Sequence, residues 1–315
     1  MRVGVSLVVP VFNEEENLPG LFSALESQTV LPEEIIFVDA GSQDKSVTLI
    51  EAWSKKMELE GCPVKIIVAP DSFPGRARNI GVKQARAEFI AFLDVGVVPE
   101  NEWLQESIEF VTSRSLSGAF GMCHFYSKDN FISKVICVLS YGYGSYRPVL
   151  PGSIFKRSLF DAVGYFREDL RASEDILWIR QCVVILGDKP VSEKSIVSYS
   201  SFPKSLWQAM QKWYSYAKAS AMSRCQFIQQ IAYPFLFFLL FLLSYSGYAC
   251  LALVVFLFYV FFRGVLLPVR RSDSAWLKKN IYVLGVCVPV VVFLDLSKTI
   301  GFIVGHADQV LKKLK

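Results

Sequence analysis

The sequence predicts an α/β fold with a mostly parallel sheet, followed by a membrane-embedded helical region. Three observations carry this. Between Val5 and Leu93, short apolar runs alternate with segments of helical period. Two of those runs end in an acid, Ile35-Ile36-Phe37-Val38-Asp39 and Phe89-Ile90-Ala91-Phe92-Leu93-Asp94. From Ile228 to Leu267 the chain is almost continuously apolar.

The elements follow in order. Val5 to Val9 is a β-rich run. Leu18, Leu21, Phe22 and Leu25 recur at helical spacing after Asn13 and the acids Glu14 to Glu16. Ile35 to Val38 reads as a buried strand. Asp44 to Met57 reads as a helix that Ser42 or Asp44 can cap. Val64 to Val68 is a third strand, Ala77 to Ala87 a helix, and Phe89 to Leu93 a fourth strand. This alternation predicts parallel strands covered on both faces, with right-handed crossovers that bring the loops after each strand to one rim. Ligands bind at that rim in open α/β sheets. Beyond Pro99 the pattern loosens. Trp103 to Val111, Phe160 to Gly164 and Glu174 to Leu186 read as helices, and Gly118 to Phe125 as a strand. Ser153 to Phe155 is a short apolar piece, and the Gly- and Tyr-rich Tyr141 to Pro151 reads as a loop. No internal repeat is visible.

Composition narrows the function classes. The 315 residues are 52% hydrophobic, with a mean hydropathy of +0.36. The excess lies after about Ser205, which suggests a catalytic domain over 1–224 and a membrane region over 225–315. A formal net charge of +4 gives no reason to expect nucleic acid. Seven scattered cysteines without a Cys-x-x-Cys pair argue against a disulfide framework or a zinc site. Two histidines, His124 and His306, give little support to a histidine metal centre or a Ser-His-Asp triad.

A bilayer core takes about 20 helical residues. Residues 225–244 and 248–267 each fit, joined by a turn at Ser244-Tyr245-Ser246-Gly247. Arg263 near the end of the second is expected to snorkel. A third stretch, 281–304, spans, re-enters or lies at the interface; within it Asp295 and Lys298 share a helix face and can pair. Arg270, Arg271, Lys278 and Lys279 put the intervening loop in the cytoplasm by the positive-inside rule. The short apolar run broken at Pro10 is a first strand rather than a signal peptide, so the catalytic domain is expected on the cytoplasmic side. The competing reading is one buried hairpin of a soluble protein, which would have to cover an unusual number of Phe and Leu side chains.

Five motifs carry chemistry. Val38-Asp39-Ala40-Gly41-Ser42 puts a carboxylate at a strand-to-helix turn, where it accepts hydrogen bonds from a base or ribose, or from its own turn. Gly75-Arg76-Ala77-Arg78-Asn79-Ile80-Gly81 opens a helix whose N-terminus and two arginines suit a diphosphate. Asp94-Val95-Gly96 offers one carboxylate to a hard cation shared with phosphate oxygens. In Glu174-Asp175, neighbouring acids can raise one pKa and supply a general base. The fifth is Pro10-Val11-Phe12-Asn13-Glu14, just after the first strand.

Taken in order, Pro10 to Glu14, Val38 to Ser42, Ala77 to Gly81, Phe92-Leu93-Asp94 and Ser173-Glu174-Asp175 resemble the motif set of family-2 glycosyltransferases, over about Val3 to Trp213. The resemblance implies the nucleotide-diphospho-sugar transferase (A-type) fold and inverting transfer from a nucleotide-diphosphate sugar. It implies that Asp39 and the loop with Pro10, Phe12, Asn13 and Glu14 hold the nucleoside. Asp94 would face the diphosphate and its Mg²⁺ or Mn²⁺, with Arg76 and Arg78 beside it. Asp175 would be the base, with Glu174 next to it. Ala40 and Gly96 stand where the family pattern has further acids. Gln208-Ala209-Met210-Gln211-Lys212-Trp213 is only a faint echo of the Gln-x-x-Arg-Trp motif of polymerising members, which speaks against processive polymer synthesis; Lys212, beside the leaving diphosphate, and Trp213 are further donor-binding candidates. Spans after the catalytic domain resemble members of cell-envelope polysaccharide or glycolipid synthesis. The acceptor is then lipid-linked or membrane-proximal. A polyprenyl-phosphate sugar synthase, a non-catalytic nucleotide-sugar-binding scaffold and a transporter subunit are the alternatives.

Overall fold

The computed structural model describes residues 3–221 and 227–314. The chain divides into two compact units, Met1–His124 with Tyr146–Tyr199, and Phe125–Ser145 with Ser200–Lys315. The second unit thus takes in a short internal stretch and resumes at Ser200.

An eight-stranded sheet runs through the first unit in the order β3-β2-β1-β4-β7-β6-β8-β5. Strands β1 (Val5–Val11), β2 (Glu34–Asp39), β3 (Val64–Val68) and β4 (Phe89–Phe92) form its parallel part. Helices α1 (Leu18–Glu26), α2 (Ser46–Leu59) and α3 (Pro74–Gln84) are the crossovers between them. The central strands β1, β2 and β4 are buried almost throughout, as continuous apolar runs require. The other half makes the sheet mixed. Strand β7 (Ser145–Lys156) pairs antiparallel with β4, and β8 (Val191–Tyr199) pairs antiparallel with β5 (Val97–Pro99). Strand β6 (Gly118–Phe125) lies between β7 and β8.

One expectation changes here, and two elements had none. Tyr141 to Pro151 is not one loop, since β7 starts at Ser145 and carries Pro148 and Pro151 within it. Strand β8 has no apolar alternation because two of its buried positions are Ser192 and Ser195; the Ser195 hydroxyl lies 2.5 Å from that of Ser107, on α4 (Trp103–Ser113). Helix α5 (Phe131–Ser140), which gives no motif, is capped by Asn130. The first unit's core joins Val8, Ile36, Phe92, Phe120 and Phe155 to Phe160 on α6 (Leu159–Val163) and Trp178 on α7 (Glu174–Leu186).

The second unit is helical. It contains α5, α8 (Leu206–Ser220), α9 (Phe227–Tyr245), α10 (Ala249–Phe261), α11 (Leu267–Arg271), α12 (Ser274–Lys279) and α13 (Tyr282–Leu314). A π-helical turn, Phe262–Leu266, joins α10 and α11 into one helix over Ala249–Arg271. That helix and Tyr282–Leu311 are long and apolar enough to cross a membrane. The third apolar stretch is therefore continuous helix with no re-entrant break. Arg263 does not snorkel: its side chain is 12% exposed and bonds to Asp295. Asp295 and Lys298 do pair, at 3.0 Å.

Candidate active site

Sheet register brings the strand-end acids to one rim. Val11 is level with Asp39 in the β1–β2 pair, and Val8 is level with Phe92 in the β1–β4 pair. Asp94, two residues beyond Phe92, therefore falls about level with Pro10.

The loops after β1 and β2 are laced together. Asn13, at φ 54°, donates its backbone N–H to Ser42 Oγ (2.9 Å) and accepts from Gln43 N at Oδ1 (2.8 Å). Glu14 N donates to Ser46 Oγ and Glu15 N to Asp44 Oδ2. Asp39 is buried and accepts from Gly41 N and Ser42 N, both at 3.0 Å, and from the Ser42 hydroxyl. Gly41, at φ +96°, makes that turn without the strain a side chain would bring. Pro10 and Glu14 are half-buried, whereas Phe12 is 53% exposed beside the lacing.

Helix α3 explains its motif residue by residue. Gly81 lets the helix lie on β1, since a Cβ there would sit 2.3 Å from Val8 Cγ1. Asn79 is buried and clamps the segment before α7: its Nδ2 donates to Phe166 O (2.8 Å) and Glu168 Oε1 (2.9 Å), and its Oδ1 accepts from Phe166 N (2.9 Å). Gly75 passes close to that segment, where a Cβ would meet Arg167 O. Arg78 is 4% exposed and donates from Nη1 to Glu174 Oε1 (2.7 Å) and from Nη2 to Asp94 Oδ1 (2.8 Å). Arg78 is thus a buried bridge between two acids, and its Nε has no hydrogen-bond partner among the described residues. Arg76, one turn edge away, is exposed and has no ion pair among the described residues. The Ser72 hydroxyl, just before α3, is buried with no hydrogen-bond partner among them.

Hydrogen bonding separates the two acids at the start of α7. Burial works against the charge on Arg78, but Asp94 and Glu174 overcome it and keep the guanidinium protonated. Glu174 is buried and committed to Arg78; burial still pushes its carboxyl above the ordinary range. Asp175 is half-buried, and burial raises its carboxyl too, with Arg78 pulling the other way and Asp94 adding to the rise. Ser173, in the left-handed region at φ 72°, turns the chain into α7 and so sets both acids.

The structure thus brings Asp94, Arg78, Glu174 and Asp175 together, and separately joins Asp39 to the Asn13–Glu14 loop along the same rim. Lys212 and Trp213 belong to the second unit, where Trp213 faces Lys298 and Lys212 Nζ lies 5.8 Å from the Tyr216 ring centre. The clamp by Asn79 and the Ser72 hydroxyl, unpartnered among the described residues, are features of this rim that sequence reading missed. An Arg-Asn pair opening a helix between two rim acids is the one sequence signal that points to them.

At the strand-end position a divalent cation would meet Asp94 Oδ2, which has no hydrogen-bond partner among the described residues. Asp94 Oδ1 is taken by Arg78, and Gly96, beside the Tyr199 ring, brings no side-chain oxygen. Among the described residues no three His, Cys, Asp or Glu side chains gather to hold a metal. The residues fit a cation as a single ligand only, completed by diphosphate oxygens and water.

Comparison with known proteins places this geometry. The glycosyltransferase AglE of Haloferax volcanii is 31% identical over 126 residues, 38% of this chain and 40% of that protein. The undecaprenyl-phosphate 4-deoxy-4-formamido-L-arabinose transferase of Pseudomonas paraeruginosa is 31% identical over 109 residues, 33% of this chain and 31% of that protein. The chain spans less than half the length of each of these curated relatives. The solved mannosyltransferase PcManGT of Pyrobaculum calidifontis, in complex with GDP-Man and Mn²⁺, superposes with a TM-score of 0.57 at 12% identity, over 99% of this chain and 88% of that one. The fold is therefore the A-type glycosyltransferase fold with a helical C-terminal region. Residues 6–165, slightly more than half of the chain, match the model of glycosyl transferase family 2, and the chain belongs to that family.

Proposed function

We propose that this chain is a membrane-anchored inverting glycosyltransferase that moves a sugar from a nucleotide-diphosphate donor to a lipid-linked or membrane-proximal acceptor. The observation that carries the reading is Arg78, which ties the rim acid Asp94 to the α7 acids through two buried charge-assisted bonds. The donor's nucleoside lies along the laced Asn13–Ser42 loops with Asp39 beneath them. The free oxygen of Asp94, the exposed Arg76 and the unpartnered Ser72 hydroxyl face its diphosphate. Mg²⁺ or Mn²⁺ held at Asp94 would withdraw charge from the leaving diphosphate. PcManGT, of the same fold, is solved with Mn²⁺.

Asp175 takes the proton from the attacking hydroxyl. Glu174 is spent on Arg78, so its half-buried neighbour, which has no charged hydrogen-bond partner, is the carboxylate placed to accept a proton. The acceptor is assigned to a lipid because the C-terminal helices expose large apolar side chains and because one relative is named as an undecaprenyl-phosphate transferase.

The test is a thermal shift of the detergent-solubilised full chain against a panel of nucleotide sugars, with and without Mn²⁺. One donor is expected to raise the unfolding temperature, by about 2.7 kcal/mol of stabilisation at a hundredfold excess over Kd. Asp94→Ala is expected to lose the Mn²⁺-dependent part of that shift. No shift with any nucleotide sugar would overturn the reading, and an unaltered Mn²⁺ response in Asp94→Ala would overturn the role of Asp94.

A further inference from the structure

In the second unit a charged cluster lies near the middle of both candidate membrane helices. Asp295 on α13 is fully buried and accepts from four donors: Arg263 Nε and Nη2, both at 2.9 Å, Lys298 Nζ at 3.0 Å and Tyr259 Oη at 3.1 Å. A carboxylate has about four lone-pair sites, so Asp295 is saturated. The cations are not. Arg263 spends two of its N–H groups and Lys298 one, while a guanidinium carries five and an ammonium three. The cluster holds two positive charges against one negative.

The unspent donors lie among aromatic faces. Lys298 Nζ sits 5.0 Å from the Trp213 ring centre and 5.8 Å from that of Tyr233, and the Arg263 guanidinium carbon sits 5.5 Å from the latter. Trp213 Nε1 is buried with no hydrogen-bond partner among the described residues. Arg263 stands in the π-helical turn, and such turns inside helices gather at functional sites. It is also the first charged residue after Arg224. The uncharged stretch between them contains the α9–α10 hairpin, whose two arms meet at the cluster through Tyr233 and Arg263. Among apolar helices an excess charge is costly, and ionisable residues there mark substrate sites.

We infer that Lys298, Arg263 and Trp213 form an anion site for the phosphate of an isoprenoid-phosphate lipid. The inference rests on the glycosyltransferase reading above and deepens it, because it names the chemical class that anchors the acceptor. The polar side of the site is the surplus charge with the unpaired indole N–H. The apolar side is the exposed aromatic surface of the hairpin, including Phe238, Phe241 and Phe258, which suits a polyprenyl tail.

The test uses the full chain in phosphatidylcholine nanodiscs doped with polyprenyl phosphate or with neutral polyprenol, reading lipid retained per protein, with inorganic phosphate as competitor. The wild type is expected to retain the phosphate lipid at least tenfold over polyprenol. Lys298→Gln is expected to lose that preference and Lys298→Arg to keep it; both leave Asp295 held by Arg263. Trp213→Phe, which keeps the ring and removes the N–H, is expected to lose several-fold, and it serves should Lys298→Gln fail to fold. Equal retention of the two lipids by the wild type, or an unchanged preference in Lys298→Gln and Trp213→Phe, overturns the site. Full competition by millimolar inorganic phosphate overturns its assignment to a lipid. A donor-induced thermal shift measured on the same protein keeps the two readings apart: a normal shift without lipid preference sinks this site alone, and no shift sinks the glycosyltransferase reading.

Discussion

Arg78 is the residue on which the catalytic unit turns. It is buried, carries one charge against Asp94 and Glu174, and leaves Asp175 as the acid without a charged hydrogen-bond partner of its own. From this follows a pH dependence. A base must be ionised to accept a proton, and burial holds the Asp175 carboxyl above its ordinary range, which for aspartate is about 3.9. With a hydroxyl acceptor, kcat/KM is expected to rise with pH through a midpoint above that value, and Asp175→Asn to lose about 10²–10⁴ in rate together with the acid limb. A pH–rate profile of both proteins checks this. An Asp175→Asn enzyme of near-normal rate means that the acceptor arrives already ionised, as a lipid phosphate does. The rim acids were legible because an apolar run followed by Asp fixes the end of a parallel strand. The Arg78–Glu174 bridge was not legible, since it joins residues 96 apart in the chain, and nothing in the Gly-Arg-Ala-Arg-Asn segment distinguishes the arginine that turns inward from the one that faces solvent.

At the scale of elements, α3 shows why a motif has the letters it has. Ala77 and Gly81 are small because the helix lies on the sheet, and Asn79 is amide-bearing because it satisfies the backbone before α7. Gly81→Ala is expected to cost about 1–3 kcal/mol, as overpacking does, and chemical denaturation of the variant checks it. The elements sequence missed share one cause. Strand β8 buries serines instead of aliphatic side chains, and β7 begins beyond two glycines of positive φ and continues through two prolines. Each hides the period-two signal that makes β1, β2 and β4 plain. The loop after β2 offers the opposite lesson, since an Asp expected to meet a nucleoside first serves its own turn.

For the whole molecule, the C-terminal helices set the environment. Phe235, Phe238, Phe241 and Phe258 are each more than half exposed, and an apolar surface of this kind needs a cover. The full chain is expected to sediment with membranes and to resist extraction by high salt and by alkaline carbonate, releasing only in detergent. Fractionation followed by immunoblotting checks this, and release by carbonate alone would exclude spanning helices.

The backbone passes from one unit to the other at 124/125, at 145/146 and again at 199/200. In the excursion between the first two points, Gly142 lies against the Arg271 carbonyl, and the Tyr143 ring stacks 3.8 Å from that of Trp276. No single scissor-cut therefore liberates a self-sufficient soluble piece. A truncation that discards everything after residue 224 strips α5 of neighbours it was folded to meet, and anyone seeking a detergent-free crystal would have to redesign that helix as well as shorten the gene.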